Sequence, residues 1–125
     1  MSNPYAQLLA GRWIGETQGY SMPAHIWEIS VKGNRLIVLS RWEDEQKTTR
    51  LIADMVAEEP CFKLGRFIGY LIGTQHFVIP KWDTNDTRGN HGPDYDVVFS
   101  RPGLAELQAH DIWKKFREEN THIEE

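Results

Sequence analysis

Turn-forming residues cut the chain between Gly11 and Arg101 into short segments, and within most of them apolar and polar side chains alternate. Trp27, Ile29 and Val31 alternate with Glu28, Ser30 and Lys32. Leu36, Val38, Ser40 and Trp42 alternate with Arg35, Arg41 and Glu43, and Leu51, Ala53, Met55 and Ala57 with Arg50, Asp54 and Glu58. A period of two puts each set on its own face of a β-strand. Ser21-Met22-Pro23, Lys32-Gly33-Asn34, Glu59-Pro60, Gly65-Arg66 and Gly73 punctuate the series with residues that end strands or make tight turns. Segments this close together leave no room for helical crossovers, so each strand is expected to pair antiparallel with the next.

Residues 11–20 form the first strand, with Gly11, Trp13, Gly15, Thr17 and Gly19 on one face. One large ring among glycines suits a strand that bends sharply or has another backbone close against it. Before it, residues 4–10 carry Tyr5, Leu8 and Leu9 at the spacing of a single helical turn. After the Lys32-Gly33-Asn34 hairpin, strands are expected at 35–43, 48–58, 61–64, 67–72 and 74–79, the last stopped by Pro80. Residues 81–93 are dense in turn formers and read as a loop. Residues 94–101 return as the eighth strand, with Tyr95, Val97, Phe99 and Arg101 in phase. Pro102-Gly103 opens a helix to about residue 118, proline suiting its first position, with Ala105, Ala109, Ile112 and Phe116 as the apolar stripe. An acidic tail, 119–125, follows. The expected fold is all-β: an eight-stranded up-and-down antiparallel β-barrel with a short N-terminal helical turn and a C-terminal α-helix. It forms one domain over residues 1–125, and closure removes the sheet edges an open meander would expose.

Several function classes fall away on composition. The net charge is −4 and lysines and arginines are scattered, which speaks against nucleic acid and anionic membranes as partners. No apolar leader and no long apolar run is present, so a cytoplasmic protein is expected. The single cysteine, Cys61, cannot make an internal disulfide and is read as a structural thiol. Five tryptophans in 125 residues mean that indole rings dominate the core or a pocket.

Gly11-Arg12-Trp13, following a short helical turn, resembles the G-x-W signature of the calycin superfamily, which contains the lipocalins and the fatty-acid-binding proteins. In those proteins a basic residue near the end of the last strand packs over the tryptophan, and Arg101 stands at the matching place. The resemblance implies structural roles for Gly11, Trp13 and Arg101. Within the superfamily the chain more closely resembles the haem-binding nitrobindin-type barrels, through Gly11, Trp13 and Gly15 and, loosely, through Gly103 and His110. This likeness implies haem as a cofactor, with His110 on the C-terminal helix as its ligand.

Chemistry-bearing motifs are sparse. There is no Gly-x-Ser-x-Gly, phosphate loop, dinucleotide fingerprint or pair of carboxylates on one strand face, and no catalytic residue is assigned. His25, His76, His91 and His110, with Asp83, Asp86 and Asp94, are candidate metal ligands but lack ligand spacing. The Asp83–Asp94 stretch fails as a calcium loop, having Arg88 at its sixth position, so no metal is expected. Tyr95 and His76 could meet inside the barrel as acid and base, but a hydrogen-bonded core pair, or no contact at all, is the simpler expectation. Strand phase puts Trp13, Trp27, Ile29, Leu36, Val38, Trp42, Leu51, Met55, Phe62, Tyr95, Val97, Phe99 and Arg101 inside. So much aromatic volume leaves room for a small or flat ligand at most.

The leading expectation is therefore a non-catalytic barrel holding a small hydrophobic or aromatic molecule among Trp27, Val38, Trp42, Met55, Tyr95 and Phe99, with no cofactor. The 81–93 loop would gate its mouth. One alternative is the haem protein using His110. Another is a filled barrel acting as a protein-interaction module through Ile37, Leu39, Ile52 and Val56 on its outer face, unless the C-terminal helix covers them; a homodimer belongs to that reading.

Overall fold

A computed structural model of the chain describes residues 3–19, 22–82, 95–103 and 105–119, with 105–108 as backbone. Among them are eight strands: β1 (Gly11–Thr17), β2 (His25–Lys32), β3 (Arg35–Trp42), β4 (Thr49–Met55), β5 (Cys61–Leu64), β6 (Phe67–Ile72), β7 (His76–Trp82) and β8 (Tyr95–Ser100). A 3-10 turn, Ala6–Leu9, precedes them and one helix, α1 (Ala105–Glu119), follows. Each strand pairs with the next and β8 returns to β1, closing the barrel. The narrowest seam is β4–β5, joined in register at Asp54↔Lys63 and Met55↔Phe62.

Alternation decides what lies inside. Trp13, Trp27, Leu36, Val38, Phe62, Phe77, Val97 and Phe99 are fully buried. The outer face carries charge, as in the Arg12–Glu28 and Arg35–Asp54 ion pairs. Apolar inside and charged outside is the reverse of a lipid-facing barrel, and no described helix is long and apolar enough to cross a membrane. The aromatic core centres on Phe77, stacked on Phe99 at 4.6 Å and meeting Trp13 and Phe62 edge-on at 4.8 and 5.4 Å.

The two ends of the barrel differ. At one, the 3-10 turn inserts Ala6 and Leu9, both buried. The Asn3 side chain holds the β4–β5 turn there, donating to the Val56 and Glu59 carbonyls at 2.7 and 3.0 Å. Its Oδ1 accepts from the Tyr5 N–H at 2.8 Å, while its own N–H donates to Asn34 Oδ1 in the β2–β3 turn. The Trp13 Nε1–H donates to the Leu9 carbonyl at 2.8 Å. Arg101 lies over the Trp13 ring, 3.9 Å from Cζ to the centroid, and donates to the carbonyls of Leu8, Ala10 and Arg12 at 2.8, 2.8 and 3.1 Å. Gly11, at φ 109°, is where an added Cβ would fall 2.9 Å from Arg101 Nη1. This end is sealed.

Helix α1 lies on the outside of the barrel over β8 and β1, where Ala109 packs with Val78 and Val98 and Ile112, Trp113 and Phe116 flank them. Trp113 Nε1 donates to Asp96 Oδ2 at 2.7 Å. The helix leaves the β3–β4 face uncovered: Leu39 is 45% and Ile52 42% exposed.

Four boundaries differ from expectation by three residues. β1 ends at Thr17, and Gly19 turns away at φ 85°. β4 stops at Met55, because Val56 donates to the Cys61 carbonyl to start a turn in which Glu58 takes φ 62°. Pro80 does not end β7. A bulge places one extra β7 residue between the Ile79↔Val97 and Trp82↔Tyr95 pairs, where a missing N–H is tolerated. Helix α1 begins at Ala105 rather than Pro102, since Gly103 at φ 93° cannot lie in a right-handed helix. Of the 81–93 loop expected to gate the mouth, Lys81 and Trp82 belong instead to β7, carried past Pro80 by the bulge; 83–93 and most of the expected tail, 120–125, lie outside the described residues.

Candidate binding site at the barrel mouth

The other end holds a pocket of about 710 Å³, within the range of about 300–1,000 Å³ usual for small-molecule sites. Chain direction explains its make-up: β2 and β4 start at this end, and β3 and β7 finish there. His25 comes from β2, Ser40, Arg41 and Trp42 from β3, Thr49 and Leu51 from β4 and Trp82 from β7, while Glu45, Lys47 and Thr48 of the β3–β4 connection complete the rim. Arg41 braces that connection, its Nη1 donating to the carbonyls of Trp42, Glu43 and Glu45 at 3.3–3.4 Å.

The floor is aromatic. The His25 ring lies 4.3 Å from that of Trp42 and 5.1 Å from that of Trp82. Trp82 meets Trp27 edge-on at 5.6 Å, and Trp27 lies 4.4 Å from Phe99. Burial pushes the His25 pKa down from 6.5 to about 4, because an apolar surrounding penalises the imidazolium. The ring is therefore neutral at neutral pH.

Trp82 is aimed by its own strand. The bulge gives Lys81 a left-handed φ of 53°, and the Lys81 N–H donates to Asp96 Oδ1 at 3.0 Å. Asp96 thus holds the bulge with one oxygen and helix α1 with the other.

The residues expected to contact a ligand are spread over different heights. Trp42 lines the pocket. Tyr95 pairs with Trp82 at the same end and is half-buried. Trp27, Val38 and Phe99 are fully buried and do not line the pocket, and Met55 sits near the sealed end opposite Phe62. Phase separates inside from outside but says nothing of height in a sheared barrel. His25 and Trp82 were absent from the expected contacts, although His25 is in phase with Trp27 and Ile29, which was signal enough to include it.

Other expectations meet the geometry as follows. His76 shares the outer face with Val78, its Nδ1 2.8 Å from Ser100 Oγ, so it does not face Tyr95 across the interior. His110 is exposed on α1, outside the barrel, its ring 5.6 Å from that of Trp113. Of the described histidines, His25 is the one inside. Among the described residues, no three His, Cys, Asp or Glu side chains gather as a metal site. His91, Asp83, Asp86 and Asp94 lie outside the described residues. Cys61 is half-buried and its thiol pKa is raised, by burial first and by Glu59 second, which suits an unreactive thiol.

Comparison with protein-family models and with curated proteins finds no match for the sequence. The fold is compatible with the calycin barrels.

Proposed function

We propose that this protein binds a small aromatic molecule in the mouth of its barrel and holds it without transforming it. The observation that carries the reading is the pocket of about 710 Å³ walled by Trp42, Trp82 and His25 over a close-packed aromatic floor. Flat π faces at the wall favour a flat ligand, and the filled lower barrel disfavours a long acyl chain. Titration with a panel of aromatic probes, followed by tryptophan fluorescence, tests it. Saturable quenching that weakens at least tenfold in Trp42→Ala, with the fold retained by circular dichroism, supports the reading. No quenching by any probe rejects it.

A second reading rests on a different surface. Leu39 and Ile52 stay exposed beside the half-buried Ile37 on the outer β3–β4 face, where α1 does not reach. An apolar outer face is a place for another protein or a second copy of the chain. Light scattering after size exclusion decides part of this: a dimer that Leu39→Lys makes monomeric supports self-association through that face.

A further inference from the structure

Within this binding reading, the described residues leave three buried polar side-chain atoms without a hydrogen-bond partner: Thr17 Oγ1, His25 Nε2 and Trp27 Nε1. All three belong to the inner face of one strand pair. His25 and Trp27 are two apart on β2, His25 sits opposite Gly15 in register, and Thr17 is two beyond Gly15 on β1. A buried polar atom that nothing satisfies keeps the full penalty of having left water. Three on one patch, in a core whose other buried polar side chains such as Asn3 and Ser100 are bonded, mark a place where a polar group is received.

The route to that place is the mouth pocket. His25 is 3% exposed and lines the pocket, and its ring packs against Trp42 and Trp82, which line it too. Nε2 itself is closed to solvent. A ligand therefore reaches it by a small shift of the rings packed about His25, and Trp42 is less buried than Trp82.

The chemistry of the patch selects the ligand. A neutral imidazole nitrogen either donates or accepts, an indole N–H only donates, and a threonine hydroxyl does both. A hydroxyl group can answer any of them in either histidine tautomer. A carboxylate would bring a charge into a dry layer with no cation facing it. The rim carries Arg41 and Lys47 but also Glu45, so it does not favour an anion strongly.

We propose that the mouth pocket takes a planar aromatic molecule bearing a neutral hydroxyl or comparable hydrogen-bonding group. The ring lies against Trp42 and Trp82, and the polar group meets His25 Nε2 and its neighbours. Affinity thereby depends on a polar edge and not on apolar surface alone.

A matched pair of probes separates the two. Naphthalene and 2-naphthol have nearly the same shape, and apolar transfer alone favours naphthalene. Equilibrium dialysis against the intact protein should show 2-naphthol binding about tenfold or more tightly. In His25→Phe the preference should fall to about twofold or reverse. In the unaltered protein, the His25 Nε2 nitrogen resonance should move with 2-naphthol and stay in place with naphthalene, which tests the contact even if the variant misfolds. Equal affinities, a preference that survives in folded His25→Phe, or an unmoved Nε2 resonance overturns the proposal. If both probes bind equally, the pocket still binds aromatics and the general reading stands. If neither binds, that reading falls together with the proposal.

Discussion

The ring of Phe99 occupies the space into which a side chain at Gly15 would project, and the two are register partners on β8 and β1. Phe62 stands in the same relation to Gly69, its partner across the β5–β6 hairpin. In both pairs the glycine lets an aromatic ring lie down on a neighbouring strand, filling the barrel without widening it.

Gly15→Ala should therefore force Phe99 out of place and destabilise the protein by about 1–3 kcal/mol, the usual range for overpacking. Urea unfolding measures it. Adding Phe99→Leu to Gly15→Ala should cost less than the two single losses summed, because the pair acts as one unit. Strict additivity would mean that the ring moves aside freely.

Arg101→Met should cost roughly 3 kcal/mol. It removes donors to the Leu8, Ala10 and Arg12 carbonyls and the cation over Trp13. In a chain of this size that corresponds to a fall in Tm on the order of 10 °C. Arg101→Lys should recover only part, since an ammonium cannot both stack flat and donate in a fork. A loss below about 1 kcal/mol in Arg101→Met would show that the 3-10 turn holds without it.

Acid should weaken the fold through His25. Its pKa is about 4 when folded and 6.5 by reference, so between those values the unfolded chain takes up a proton that the folded one refuses. Stability from this group is full above pH 6.5, declines as pH falls through the window, and is lost below about pH 4. The integrated cost is roughly 3 kcal/mol, less what stacking of the imidazolium on Trp42 and Trp82 returns. Urea unfolding from pH 7 to 4 should show a shallower decline in His25→Phe than in the unaltered protein. Parallel profiles would mean that His25 does not titrate as its burial dictates.

Asp96→Ala should loosen α1 and the Lys81 bulge together, since one carboxylate serves both. The expected signs are a stability loss of about 2 kcal/mol and faster amide exchange at Lys81 as well as along α1. The mouth should respond too, because Trp82 follows Lys81 directly; aromatic-probe affinity should drop although Asp96 lies outside the pocket. Exchange confined to α1 would show that the bulge holds its shape unaided.

Much of the barrel was legible because seven of its strands carry a plain alternation or a clear pair of turns. β7 was the exception. His76, Phe77, Val78 and Ile79 are all buried, Val78 under α1 and Phe77 in the interior, so no polar phase revealed which side was which. The central ring, Phe77, went unrecognised for that reason. Pro80 looked like a stop because a bulge is a tertiary event, set by the partner strand and by Asp96. Sequence pattern alone marks Gly15 as a place for a bend or a nearby backbone and gives Gly69 no particular role. The ring that fills each gap lies far off in sequence or across a hairpin, and local pattern does not connect them. At the site, phase found the interior but not the level of each residue along the axis.

Asn3, the 3-10 turn and Arg101 draw both flanks of the barrel to one pole, whereas the pocket is built at the other from strand ends and the 43–48 connection. The molecule thus has a fixed base and a variable brim. Substitutions or grafted loops at 43–48 should change what is recognised while leaving the unfolding free energy almost untouched. A family of binders with new selectivities could be raised from this one chain by randomising that connection alone.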